Sequence, residues 1–319
     1  MIRDRRNELK DQAGILTMTL PTRPHGKKVQ DVNDALRGFE ELGYIGDRGL
    51  ATVIYLLSSL GTPILLEGHT GLGKTEVAKV LASFLGTTLI RLQCYEGLDV
   101  NSAVYEWNYQ KQLLAIKLQE GTGKTVEEKE KFVFGTDFLL ERPLLQAVRA
   151  ETASPVLLID EVDRADEAFE AFLLELLSDF QISIPELGTI RAKHAPYVVL
   201  TSNRSRELGE ALRRRCLYHW IEYPSPEKEL RIVAARLPGI EEELSRQVVG
   251  FVQALRGIHL SRSPGVAETL DWAKSLVALQ RYSLDRATVE ETLGCLAKSL
   301  EDTERIKSAG IEKILSQIT

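Results

Sequence analysis

Gly68-His69-Thr70-Gly71-Leu72-Gly73-Lys74-Thr75 brings together residue types and a spacing that can hold a nucleoside triphosphate. Its first Gly, its closing Gly-Lys and its final Thr fill every fixed position of a Walker A phosphate loop. The glycines let backbone N–H groups curl around phosphate oxygens, while Glu76 opens a helix whose N-terminal dipole end faces them. Lys74 can neutralise the β and γ phosphates, and the Thr75 hydroxyl is a ligand for Mg²⁺. A second pair, Asp160-Glu161, closes the apolar run Pro155-Val156-Leu157-Leu158-Ile159 as a Walker B strand does. Asp160 suits Mg²⁺ held through water, and Glu161 suits a general base toward the attacking water. Asn203 ends another apolar run and offers an amide to orient that water, although a strand-end Asn is also a common turn former. Arg213-Arg214-Arg215 exceed what a helix C-terminus needs from cations, and a protruding Arg neutralises transition-state charge in phosphoryl transfer.

These groups need a scaffold, and the flanking residues predict one. Pro63-Ile64-Leu65-Leu66-Glu67 reads as a buried strand before the loop, and Glu76 to Ala82 as the helix behind it. Thr88 to Leu92, Pro155 to Asp160 and Tyr197 to Asn203 read as further strands of a parallel sheet, whose C-terminal edge is where α/β folds bind ligands. Two helices precede the loop, one capped at Asp31 and one through Leu50, Val53, Ile54, Leu57 and Leu60. Tyr44-Ile45-Gly46 joins them where a nucleoside base can be sandwiched, though plain packing is the commoner role of such an aromatic.

After the second strand comes an insert, 94–134, with Tyr95, Tyr105, Trp107 and Tyr109 close together and a helix running to Gln119. The aromatics are either a small satellite core or a partner-binding surface, and connections this long tend to be functional. Gly121-Thr122-Gly123-Lys124-Thr125 repeats the Gly-Lys-Thr ending, but Leu118 stands where the first glycine must be and helix precedes it. It is expected to be an exposed turn. A helix around Phe138-Leu139-Leu140 and Leu144 to Val148 follows, then a helix over Glu167 to Leu177 and a β-hairpin at 180–192. From Pro224 helices alone are expected: Pro226 to Leu237, Ile240 to Leu255, Gly265 to Leu279, and one through Ala287, Val289, Leu293, Leu296 and Leu300. The organisation predicted is a flexible arm at 1–30, an αβ nucleotide-binding domain at 31–223 and an α-helical lid domain at 224–319. The arm mixes charges with Pro21, Pro24 and Gly26 and reads as a solvated tail rather than a docking element.

Composition narrows the function. The chain is 44 % hydrophobic and 27 % charged, ordinary globular usage, and its net charge of -6 argues against a general nucleic-acid surface. No apolar run approaches the ~20 residues that span a bilayer and no signal-peptide pattern opens the chain, which points to the cytoplasm. Cys94, Cys216 and Cys295 lack close Cys or His partners and are expected to be reduced packing residues, and the lone His259 a packing or surface residue. No Asn-Lys-x-Asp element supports a guanine preference.

The phosphate loop, Asp160-Glu161, Asn203 and Arg213 to Arg215, in that order and ahead of a small helical region, resemble the AAA+ ATPases over about residues 31 to 300. The insert and the hairpin resemble the MoxR family. Within it, Leu92-Gln93-Cys94-Tyr95-Glu96-Gly97, Arg142-Pro143-Leu144-Leu145-Gln146, Ile159 to Arg164 and Pro264 to Trp272 are similar to ATPases that serve maturation of carbon monoxide dehydrogenase, a molybdenum enzyme. The resemblance implies ATP and Mg²⁺ as cofactors, Asn203 as sensor 1, and Arg215 as the arginine finger with Arg214 the runner-up. It also implies a homo-oligomeric ring, usually a hexamer, a partner with a von Willebrand factor A domain, and a client metalloenzyme. One departure stands out: where many family members place a sensor 2 Arg after Pro, Pro264 is followed by Gly265, which leaves Arg262 as the candidate substitute. The competing readings are an ATP-binding switch or scaffold without turnover and a DNA-directed motor.

Overall fold

The computed structural model describes residues 28–118, 125–185 and 187–318. Most of the N-terminal arm, and the Gly-rich turn expected at 120–124, lie outside the described residues. Two capped helices open the fold, α1 (Val32–Glu41) and α2 (Arg48–Leu60). The carboxylates of Asp31 and Asp47 accept from the amides of Asp34 and Leu50, satisfying donors that a helix start leaves unpaired. Then β1 (Ile64–Gly68), the phosphate loop, α3 (Lys74–Leu85) and β2 (Leu89–Gln93) form the first crossover unit.

The insert folds as α4 (Val100–Val104), β3 (Tyr105–Trp107), α5 (Tyr109–Leu118), α6 (Val126–Val133), β4 (Leu139–Glu141) and α7 (Pro143–Val148). Here the structure corrects the sequence reading. Phe138 ends a 3₁₀ turn, and Leu139 to Glu141 form a strand antiparallel to β3 rather than a helix, with Trp107 opposite Leu139 and Tyr105 opposite Glu141. Cross-strand partners supplied by the aromatic segment outweigh the helical preference of the leucines. The aromatic cluster divides: Trp107 is buried, edge-on to Tyr105 and Phe134, whereas Tyr95 and Tyr109 are exposed.

The chain continues through β5 (Val156–Asp160), α8 (Glu167–Asp179), the hairpin β6 (Gln181–Ile184) and β7 (Gly188–Arg191), β8 (Tyr197–Ser202), α9 (Glu210–Arg213) and β9 (Leu217–Ile221). Five strands make one parallel sheet in the order β2-β5-β8-β1-β9. Side chains alternate across it. Leu65, Leu157, Ile159, Val198 and Leu200 face the core with α7 and α8, while Ile64, Leu66, Val156, Leu158 and Val199 face the core with α1 to α3. Burial on both faces explains why these strands read as continuous apolar runs.

Beyond Pro224 lie α10 (Pro226–Arg236), α11 (Glu242–Arg256), α12 (Val266–Ala278), α13 (Arg286–Thr292), α14 (Leu300–Ala309) and α15 (Ile311–Ile318). The expected fourth lid helix is broken. A 3₁₀ turn at Leu293–Cys295 ends α13, Ser299 caps α14, and Gly310 at φ 88 separates α14 from α15. Trp272 and Phe251 centre the lid core, and the Trp272 indole N–H donates to the buried Thr292 hydroxyl at 2.7 Å. His259 is exposed, and Cys94, Cys216 and Cys295 are free thiols.

Candidate nucleotide-binding site

Because β8 lies between β1 and β5, the C-terminal ends of the three strands bring the phosphate loop, Asp160-Glu161 and Asn203 to the same edge. They line a cleft of about 580 Å³, within the usual range for small-molecule sites. Thr70 to Glu76, Asp160, Glu161 and Asn203 all border it. Gly71 and Gly73 sit at φ 82 and 85, conformations that only glycine takes without strain. No side chain caps α3, so its first N–H groups are left for an anion.

Lys74 is 6 % exposed, and its ammonium donates to the carbonyls of Gly68 and His69, each at 2.7 Å. Burial pulls its pKa down to about 8 against the opposing pull of Asp163, Asp160, Glu161 and Glu67. Gly68 and His69, expected as nucleotide contacts, do not border the cleft: their carbonyls hold Lys74, and the His69 ring stacks on Tyr223 with centroids 5.2 Å apart. Glu76 borders the cleft while paired with Arg236 at 2.6 Å and Lys79 at 3.3 Å.

Asp160 is 2 % exposed and accepts from the Thr75 hydroxyl at 3.0 and 3.2 Å, so the two expected Mg²⁺ ligands are already in contact. Among the described residues no group of three His, Cys, Asp or Glu could hold a metal. A Thr hydroxyl and one carboxylate fit Mg²⁺ well, since that ion keeps several waters and takes most other ligands from phosphate. Glu161 borders the cleft in the left-handed conformation, φ 55 and ψ 49, which is costly for a residue with a Cβ. Its carboxylate pairs with Arg164 at 3.2 Å.

Residues that sequence reasoning passed over hold this arrangement. Thr201, 1 % exposed, donates to Asp160 Oδ1 at 2.5 Å and accepts the Glu161 amide at 2.9 Å. Asp163 accepts from the amides of Asn203 and Ser205 and from the Ser205 hydroxyl, tying the turn after β8 to the turn after β5. Thr201→Val keeps the shape but orphans the Glu161 amide, and should cost about 1–3 kcal/mol in urea unfolding, with Thr201→Ser recovering most of it. Neither residue stands in a fixed motif position. The signal was a Thr two places before a strand-end Asn, which acquires meaning only from the β5–β8 register that sets Ile159 opposite Leu200.

Two further findings concern the rim. Tyr44 and Ile45 do border the cleft beside the phosphate loop, and burial together with Asp47 and Glu76 raises the Tyr44 phenol far above its ordinary range, keeping it neutral. From the lid come Lys228, Arg236 and Lys274, whereas Arg262 pairs with Glu268 at 3.3 Å and does not reach the cleft. Gly265, at the expected sensor 2 position, explains itself by contact: a Cβ there would stand 2.8 Å from the Thr70 carbonyl oxygen and 3.0 Å from Gly71. The next turn is bonded to the loop, the Ala267 amide donating to the Gly71 carbonyl at 2.9 Å. The lid therefore meets the phosphate loop through backbone. Gly265→Val should force them apart at about 1–3 kcal/mol of overpacking, read as roughly tenfold weaker ATP binding in equilibrium titration. Behind this contact the buried Arg256–Glu229 pair, at 2.7 Å, also binds the Pro264 carbonyl and the Thr269 hydroxyl.

Arg214 pairs with Glu210 on its own helix. Arg215 donates to the Ser178 hydroxyl at 2.7 Å and the Ala211 carbonyl at 3.1 Å. Neither borders the cleft of its own chain.

Residues 63–216 match the family model described as AAA domain, dynein-related subfamily. That stretch is an AAA domain. It is 26 % identical to protein NorQ of Paracoccus denitrificans over 235 residues, 70 % of this chain and 76 % of that protein. To the denitrification regulatory protein NirQ of Stutzerimonas stutzeri it is 25 % identical over 257 residues, 78 % of this chain and 82 % of NirQ. Both relatives are MoxR-family AAA+ ATPases, the branch that the insert and hairpin resemble. A Holliday junction branch migration subunit RuvB from Kosmotoga olearia is 24 % identical over 256 residues, covering 78 % of this chain and only 59 % of that relative. A solved Thermotoga maritima RuvB mutant superposes with TM-score 0.47 at 18 % identity, over 85 % of this chain and 73 % of that one. No described helix is long and apolar enough to cross a membrane.

Proposed function

We propose that this chain hydrolyses ATP to ADP and phosphate in a homo-oligomeric ring and uses the cycle to remodel a partner protein during maturation of a metalloenzyme. The observation that carries the reading is the convergence of Lys74, Thr75, Asp160, Glu161 and Asn203 on one cleft roofed by the lid. Bound Mg²⁺ supplies the charge that offsets the phosphates and helps the leaving group depart. Lys74 would leave the Gly68 and His69 carbonyls to pair with phosphate, and Thr75 and Asp160 would hold the metal. Glu161 takes the proton of the attacking water, which the Asn203 amide orients. An arginine from the α9 end of the next subunit completes the charge, Arg215 in first place and Arg214 in second.

The maturation role follows the resemblance to the carbon monoxide dehydrogenase maturation ATPases, a molybdenum hydroxylase being the kind of client implied. Its partner, by the same likeness, carries a von Willebrand factor A domain, and the insert with exposed Tyr95, Tyr109 and Leu113 is the surface offered to it. The sequence similarity to the Kosmotoga olearia branch migration subunit favours a second reading, a DNA-directed motor, against which stands a net charge of -6. Phosphate release and sizing on the full chain with Mg²⁺ and ATP, with and without duplex DNA, decide among them. Turnover per chain that rises with protein concentration and ignores DNA is expected. Nucleotide binding without turnover at any concentration would instead make the chain a switch or scaffold, and stimulation by DNA would favour the motor.

A further inference from the structure

Asp160 is nearly wholly buried, and a carboxylate in that position needs a positive partner or a metal. Its partner here comes from an unexpected element. Arg91, in the middle of edge strand β2, donates to Asp160 Oδ2 through Nε at 3.0 Å and through Nη2 at 2.6 Å. Oδ1 is taken by the hydroxyls of Thr201 and Thr75, and Thr75 also reaches Oδ2. A carboxylate offers about four lone-pair sites, so these donors leave Asp160 saturated. Lys74, the other nearby cation, is bonded to loop carbonyls instead. The Arg91 side chain is 49 % exposed and its Nη2 also donates to the Gln93 amide oxygen, so it has both a route away from Asp160 and a second anchor on its own strand.

From this geometry we propose that Arg91 is a positioning residue that stands in for Mg²⁺: it neutralises Asp160 while the metal is absent and must withdraw toward Gln93 when the metal arrives. The inference rests on the ATP and Mg²⁺ reading above and adds a residue outside the Walker and sensor positions. Two cations competing for one carboxylate are coupled negatively, and the coupling is reciprocal. Arg91 thus sets how much free divalent ion is needed to fill the site. It lies three residues before Cys94, where the insert begins and where the Cys94 amide donates to the Asp160 carbonyl at 2.8 Å. A load on the insert that shifts β2 would move Arg91 and so tune metal retention.

The test uses the full chain with a non-hydrolysable ATP analogue and Mn²⁺ as probe, counting free Mn²⁺ by electron paramagnetic resonance, so that no turnover is required. Arg91→Ala should lower the half-saturating Mn²⁺ concentration roughly tenfold, within the 5- to 150-fold span of such couplings, and Arg91→Lys should fall between it and the parent. Melting in EDTA and in Mn²⁺ separates this from a general loss of packing. Arg91→Ala should melt lower than the parent in EDTA and show the larger Mn²⁺-induced rise. If Arg91→Ala does not fold, Arg91→Gln, which keeps hydrogen bonds without the charge, carries the same expectation. A variant midpoint equal to or above that of a Mn²⁺-binding parent overturns the proposal alone. A parent that retains no Mn²⁺ with the analogue overturns both this proposal and the ATP reading beneath it.

Discussion

Mixing Arg215→Ala with Lys74→Ala chains should restore ATP hydrolysis that each variant lacks alone. The cleft is bordered by none of Arg213, Arg214 and Arg215, and all three are exposed at the end of α9. In the ring proposed above, an arginine so placed meets a γ-phosphate across the subunit boundary. Arginines supplied in trans contribute roughly 10³ to 10⁵ in rate in phosphoryl transfer, so the single variants should lie near background. In mixed rings some interfaces pair an intact phosphate loop with an intact arginine, and activity returns in proportion to them. To engage, Arg215 must first release the Ser178 hydroxyl and the Ala211 carbonyl, contacts exposed enough to exchange with water. No recovery despite co-assembly on sizing would count against a finger in trans, and recovery with Arg214→Ala in place of Arg215→Ala would compare the two candidates.

Glu161→Gln should bind ATP as the parent does and turn it over about 10² to 10⁴ times more slowly, the usual worth of a positioned general base. The prediction follows from how Glu161 is held. Its conformation is fixed through its backbone amide on Thr201, a contact that Gln retains, so the change removes basicity and, besides it, only the solvent-exposed charge pairing with Arg164. Lys74→Ala should differ in kind, because it deletes the charge facing the phosphates and so weakens binding itself. Fluorescent-nucleotide titration and phosphate release on both variants separate the two defects. Equal turnover in Glu161→Gln and the parent would remove Glu161 from the chemistry.

The phosphate loop, the two acids and the buried strands were legible in the sequence because each has a local physical requirement. Gly71 and Gly73 need positive φ, and strands covered on both faces must be apolar throughout. What escaped notice depends on register and tertiary contact. Thr201 and Arg91 are ordinary strand residues until β5 is set between β2 and β8, when both turn toward Asp160. Lys228, Arg236 and Lys274 reach the cleft only because the lid folds back over it, and nothing in their spacing announces this. The β3–β4 pair involves three-residue strands, too short for any alternation to be read.

The sheet order has a consequence for how the chain reaches its native state. Every neighbour in β2-β5-β8-β1-β9 is a parallel pair joined through a distant crossover, and β1 meets β8 over more than a hundred intervening residues, Ile64 against Val199. Such high contact order makes folding slow and leaves strand edges unprotected until late. The cleft forms only when the central strands β1, β8 and β5 have docked, so a chain that captures nucleotide has already paired the middle of its sheet. Ligand present at 100 times its dissociation constant would then stabilise that state by about 2.7 kcal/mol through mass action. Nucleotide supplied during refolding should accordingly act as a template-like trap, raising the yield of native parent chains while leaving that of Lys74→Ala unchanged.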